Sequence, residues 1–69
     1  MIVMNVVVNG EERVLPAGAT VADLLTELGL PSAGIAVAVN GEVVGRARHA
    51  STVLPDEALV EVLTAVQGG

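Results

Sequence analysis

The sequence predicts an α+β fold, a mixed sheet of about five strands in the order ββαββ-loop-β with one main helix packed on one face. Three observations predict it. Asn9-Gly10 and Asn40-Gly41 each stand between two extended, β-branched runs, and Asn-Gly in that setting is the strongest short hairpin signal, because both central residues of a type I′ turn need φ > 0. Between the two hairpins lies one segment whose apolar residues recur at helical spacing. A last β-branched run, Val60 to Val66, leads straight into Gln67-Gly68-Gly69.

Taken in order, the first strand is expected at about 2–8 and its return at 11–15, after which Pro16-Ala17-Gly18-Ala19 breaks the sheet. Thr20 to Gly29 reads as one short helix. Thr20 is a suitable N-cap, Asp23 stands where a capping-box acid reaches back to the N-cap amide, and an acid in the first turn complements the helix dipole. Val21, Leu24, Leu25 and Leu28 form a single apolar face at spacings of three and four, and Gly29 followed by Pro31 supplies the stop. Ile35 to Val39 and Glu42 to Val44 make the second hairpin, and an irregular stretch from Gly45 to Glu57 precedes the last strand. One helix across one face of such a sheet buries both apolar surfaces. This order is the β-grasp, or ubiquitin-like, architecture. Residues 1–66 are expected to form the domain and 67–69 a flexible tail.

Composition narrows the function. With 69 residues, 52% of them hydrophobic and 16% charged, the chain suits one compact globule near the lower limit for unaided folding. It has no cysteine and no aromatic residue among Phe, Trp and Tyr, so Val, Leu, Ile, Ala and Met must build the core without a disulfide or thiolate metal site. The formal net charge is −5, and Arg13, Arg46 and Arg48 are the only cationic side chains. Without a basic stripe or stacking aromatics, nucleic-acid binding is not expected. No basic region precedes an apolar stretch at the start, and no apolar run is long enough to span a bilayer. The expectation is a soluble, cytoplasmic protein with no membrane association.

No catalytic apparatus is legible. His49 is the sole histidine, with no cysteine or second histidine near it, so no metal site is expected. Ser32 and Ser51 lack a base placed by sequence, and Asp56-Glu57 reads as a solvated corner. The glycines at 10, 41 and 45 belong to turns, since none leads from a strand into a helix as a phosphate cradle does. The chemistry therefore points to the end of the chain. Gly68-Gly69 presents an unhindered α-carboxylate, and four residues from Val66 to Gly69, if extended, reach about 13 Å. Side-chain alternation supplies a second expectation. If Val6 and Val8 face the helix, Asn5 and Val7 face away. On the last strand, Val60, Val62 and Thr64 face one way and Glu61, Leu63 and Ala65 the other. Val7, Leu63 and Ala65 are thus expected to form a small apolar docking patch on the open sheet face, near the tail.

Met4-Asn5-Val6-Val7-Val8-Asn9-Gly10, Pro16-Ala17-Gly18-Ala19-Thr20-Val21-Ala22-Asp23-Leu24-Leu25, Val37-Ala38-Val39-Asn40-Gly41-Glu42-Val43-Val44 and Thr64-Ala65-Val66-Gln67-Gly68-Gly69 resemble, in order, spacing and total length, the thiamine-biosynthesis sulfur carrier (ThiS) family. The resemblance covers nearly the whole chain, and the terminal Gly-Gly is its specific motif. Three departures stand out. Met1 to Val3 precede the usual start, Gly45 and His49 stand where the family commonly has Pro and Trp, and Glu57-Ala58 replace a usual Gly-Asp turn. The resemblance implies that an E1-like adenylyltransferase of the ThiF type uses ATP to adenylate the Gly69 carboxylate. A sulfur donor such as a cysteine desulfurase then supplies sulfur for a thiocarboxylate, which serves a thiazole synthase of the ThiG type. On that reading the chain is a co-substrate and not an enzyme, with no bound cofactor. Gly69 carries the chemistry, Gly68 gives access, because glycine lets the arm pass a narrow channel, and Val66 and Gln67 form the hinge. Two alternatives stay open within the fold: the small subunit of molybdopterin synthase and a ubiquitin-like protein modifier. An inert interaction domain is the third.

Overall fold

The computed structural model describes residues 2–31 and 33–64. It contains β1 (Val3–Val8), β2 (Glu11–Pro16), α1 (Val21–Glu27), β3 (Ile35–Val39), β4 (Glu42–Val44) and β5 (Leu59–Thr64). The five strands form one sheet in the order β2-β1-β5-β3-β4. Both hairpins are antiparallel, β5 pairs parallel to β1, and β3 pairs antiparallel to β5. The sheet is mixed, one helix accompanies it, and the architecture is the β-grasp.

The turns form for the expected reason. Asn9 and Gly10 have φ of 51° and 85°, and Asn40 and Gly41 have 51° and 84°, the paired positive values that a type I′ turn needs. Pro16 belongs to β2 as its last residue, one place beyond the predicted end. β2 is an edge strand, where a missing N–H disturbs no ladder.

The helix is two turns long and every amide at its start is satisfied. Thr20 Oγ1 accepts from the Asp23 N–H and the Asp23 carboxylate accepts from the Thr20 N–H, a complete capping box. The remaining early donors go to the loop after β4: the Val21 N–H donates to the Thr52 carbonyl and the Ala22 N–H to that of His49. All four orphan donors of a helix N-terminus are thereby accounted for. Leu28 is the C-cap, so the predicted end at Gly29 lies in the cap and not in the helix. Gly29 has φ of 73°, its N–H donates to the Thr26 carbonyl, and the Leu30 N–H reaches back to Leu25. That pattern is a Schellman motif.

Val6, Val21, Leu24, Val37, Leu54 and Val60 are the largest fully buried side chains. Leu54 comes from the stretch expected to be irregular, which instead holds a 3₁₀ turn at Arg46–Arg48 and an isolated bridge from Thr20 to Val53. This segment folds under the helix N-terminus and contributes Leu54 and His49 to the interior. The His49 Nε2 lies 3.2 Å from the Val44 carbonyl and is placed to donate to it, while Nδ1 has no hydrogen-bond partner among the described residues. His49 is a packed ring that ties the loop to β4. Asp56 is likewise more than a solvated corner, because its carboxylate accepts from the Asn5 N–H at 3.0 Å while the Glu57 N–H donates to the Asn5 carbonyl at 2.6 Å.

Candidate functional site

The last strand is the natural place to build a site, because it is last in sequence and central in space. β5 begins at Leu59, one residue before the predicted start. The predicted continuation through Val66, the boundary after residue 66, and Ala65, Gln67, Gly68 and Gly69 lie outside the described residues. What the structure does place is the root of that segment. Val60 and Val62 point into the core, at 2% and 6% exposure, while Leu59, Glu61 and Leu63 point outward.

Two side chains that sequence reasoning used only for their turn conformation also hold β5. The Asn9 side chain makes a paired contact with the backbone of Val62: its Nδ2 donates to the Val62 carbonyl at 3.0 Å, and its Oδ1 accepts from the Val62 N–H at 2.9 Å. At the other end Asn40 Oδ1 accepts from the Leu59 N–H at 2.8 Å, and the Asn40 N–H donates to the Leu59 carbonyl. Each hairpin turn thus lends one amide side chain to the same strand. The signal was present in the choice of asparagine at both turns, but the partner is 53 residues away for Asn9 and 19 for Asn40.

The open face carries most of the exposed aliphatic side chains. Alternation puts Val3 and Val7 of β1, Val14 of β2, Val43 of β4, and Leu59 and Leu63 of β5 on the side away from the helix. Val7 and Leu63 share this face, as the sequence suggests, but they are not neighbours. In the parallel ladder Val7 stands beside Leu59, and across β5 Leu63 pairs with Ala36. Leu59 and Leu63 are about 13 Å apart along the strand, with Glu61 between them. Leu59, 61% exposed, and Val43, 69% exposed, are therefore members of the face that the sequence reading missed. Their signal was the register, which a single strand does not reveal. Glu12 lies next to Val7 and Glu61 next to Ala38, so the apolar side chains are interspersed with acids.

On the helix side, a shallow groove of about 390 Å³ sits at the tail root, lined among others by Val8, Arg13, Leu28, Leu30 and Thr64. The Arg13 guanidinium is 3.7 Å from Glu11. Among the described residues no group of three His, Cys, Asp or Glu side chains could hold a metal ion, and no helix is long and apolar enough to cross a membrane.

A β-grasp body whose central strand leads into a Gly-Gly segment matches the ThiS family model over residues 4–69. The chain belongs to the ThiS family. Among solved structures, this ThiS-family chain is similar to the crystal structure of a thiamine biosynthesis protein (ThiS) from Geobacter metallireducens, with a TM-score of 0.79 and 33% identity over 96% of this chain and 100% of that one. An NMR solution structure of a thiamine biosynthesis protein from the same organism gives a TM-score of 0.77 and 32% identity over 96% and 88% of the two chains. A thiazole synthase from Paramagnetospirillum magneticum is 39% identical over 66 residues, 96% of this chain. The chain spans about one fifth of the length of that curated relative, 20%.

Proposed function

We propose that this chain is a sulfur carrier of thiamine biosynthesis and that its working atom group is the carboxylate of Gly69. The observation that carries the reading is the placement of β5. The strand preceding the Gly-Gly segment is the middle strand of the sheet, hydrogen-bonded to β1 on one side and β3 on the other. A strand so held gives the C-terminal segment a fixed root, and the family match runs through residue 69.

The chemistry stems from the weakness of a carboxylate as an electrophile. Attack of a Gly69 carboxylate oxygen on the α-phosphorus of ATP, in an E1-like adenylyltransferase, forms an acyl adenylate and releases pyrophosphate. The terminal sulfur of a persulfide, generated by a cysteine desulfurase, then displaces AMP. A thiol that takes up the other sulfur of the resulting S–S bond releases the thiocarboxylate. Glycine at positions 68 and 69 removes both β-carbons, so the arm can enter a narrow channel and approach a phosphate closely. Gln67 and Val66 join that arm to the body. The sheet's open face, with Val7 and Leu63 among its docking residues, meets the partner.

The thiazole synthase relative supports the acceptor. One fifth of that protein is like this chain, so in it a ThiS-like segment is joined covalently to the rest of a thiazole synthase. For a separate carrier, the same pairing would be made by docking.

The test is the intact mass of the protein from its own cells, or after incubation with ATP, an E1-like enzyme and a sulfur donor. The expected result is a gain equal to exchanging one oxygen for one sulfur, mapped to Gly69. An unchanged mass, with the same enzymes active on another carrier, would overturn the reading.

A further inference from the structure

We infer that Asn9 is a positioning residue for the tail: its side-chain amide serves as an extra strand segment that fixes the end of β5 and so sets where the reactive carboxylate is delivered. The inference rests on the sulfur-carrier reading above for its functional half, while its structural half stands on the geometry alone.

The parallel ladder between β1 and β5 is short. Its register pairs are Val7 with Leu59 and Val8 with Val60, and the last backbone bond runs from the Asn9 N–H to the Val60 carbonyl. At Asn9-Gly10 the chain turns away into β2. Without a further partner, β5 beyond Val60 would be held from the β3 side only, where pairing continues to Ile35 with Thr64. The Asn9 amide fills that gap. A primary amide offers the same donor and acceptor as a peptide unit, and the two bonds to Val62 use one of each. The ladder on the β1 side is thereby extended by two residues, to a point two residues before the end of β5 at Thr64. Turn conformation does not require this: glycine and aspartate also suit the first position of a type I′ turn. Aspartate would keep the acceptor for the Val62 N–H but set a second carboxylate oxygen against the Val62 carbonyl. Asparagine alone among the usual turn residues completes both bonds.

Docking and delivery separate in this arrangement. Val7, Leu59 and Leu63 lie on the open face, whereas the Asn9 amide acts in the plane of the sheet. Loss of the amide should therefore leave the docking surface in place and loosen the direction in which the tail leaves.

The experiment compares Asn9→Gly with Asn40→Gly in the full chain, and adds Asn9→Asp as a second turn-competent variant. Asn40→Gly makes the same backbone change and removes an amide at the opposite end of β5. Hydrogen exchange is read at Val62 and at reference amides in β3. Thiocarboxylate formation is read by intact mass, with the activating enzyme's kcat and KM for the carrier. For Asn9→Gly, the Val62 amide should exchange faster by about tenfold, relative to the β3 amides, as expected for the loss of an ordinary hydrogen bond, and for Asn9→Asp, which keeps an acceptor for that amide, by less. The kcat should fall by about fivefold or more, because a misplaced reacting group costs rate even when binding is intact. KM should stay at the wild-type value. Asn40→Gly should keep both Val62 protection and kcat. Unchanged Val62 exchange in Asn9→Gly would overturn the clamp. Faster exchange with wild-type kcat, or equal loss of kcat in Asn40→Gly, would overturn the positioning role. A wild-type chain that is never loaded would instead overturn the sulfur-carrier reading, and the exchange data would still decide the clamp.

Discussion

Glu57 sits in the left-handed region, with φ of 61°, two residues before the start of β5. A residue with a β-carbon loses about 1–2 kcal/mol in that conformation relative to the right-handed one, and glycine does not. The side chain is exposed, so removing it strips no core packing. The backbone bond from the Glu57 N–H to the Asn5 carbonyl needs no side chain and should persist. Against the gain stands the extra freedom of glycine in the unfolded chain, about 0.4–1 kcal/mol. Glu57→Gly should therefore stabilise the fold by about 0.5–1 kcal/mol on these two figures. For a domain of this size that corresponds to a rise in Tm of about 2–8 °C.

The chain has no Trp, Tyr or Phe, so thermal and urea unfolding should be followed by far-UV circular dichroism. The urea midpoint should rise with the slope m unchanged, since the buried surface is the same. Gly29→Ala reads the same strain with the opposite sign. Gly29 has φ of 73° and an added β-carbon would meet nothing within 4 Å, so the change is conformational and not steric. It should lower stability by about 1 kcal/mol. A Glu57→Gly midpoint equal to or below wild type, with Gly29→Ala destabilised as expected, would refute the claim that residue 57 is strained.

Asp23→Ala removes one half of the capping box and leaves the Thr20 N–H without its carboxylate acceptor. The expected loss is about 1 kcal/mol, read as a lower urea midpoint, and no change in midpoint would show that the cap contributes nothing. Leu63→Asp tests the open face. Leu63 is 67% exposed, so stability should move by no more than about 0.5 kcal/mol. Affinity for the activating enzyme should fall by about tenfold or more as an unpaired charge is pressed into an interface, and unchanged binding would exclude Leu63 from the docking surface.

Local conformation was legible in the sequence, and long-range placement was not. Asn9-Gly10 and Asn40-Gly41 announce their turns because positive φ is a property of the residues themselves. Thr20, Asp23 and Gly29 mark the helix ends because caps close hydrogen bonds within a few residues. The β-grasp architecture emerged from the order of these local units. Leu54 escaped notice because it lies in a segment with neither helical nor strand period, and only contact with the helix and sheet buries it. Leu59 escaped as the neighbour of Val7 because the β1–β5 register joins positions 52 residues apart by sequence number. The same ignorance of register made Val7 and Leu63 look adjacent when Glu61 separates Leu59 from Leu63. The asparagine amides were read for their backbone preference alone, since nothing near them in sequence needs a donor or an acceptor.

These non-local features converge on one strand. β5 has five register pairs with β3 but two with β1, so the two sides of its ladder are unequal. The β1 side runs out where β1 must turn back to form its hairpin, and it cannot be lengthened without moving that turn. An amide side chain at the turn solves the geometric problem with no added backbone. Asn40 does the corresponding work at the other end, closing the Leu59 N–H that precedes the β3 pairing. The two turns that make the hairpins thus also hold the strand between them. On the sulfur-carrier reading proposed above, the loaded and unloaded forms differ by a single atom at Gly69. A strand bonded on both sides up to Val62, and on the β3 side up to Thr64, gives that end a fixed root.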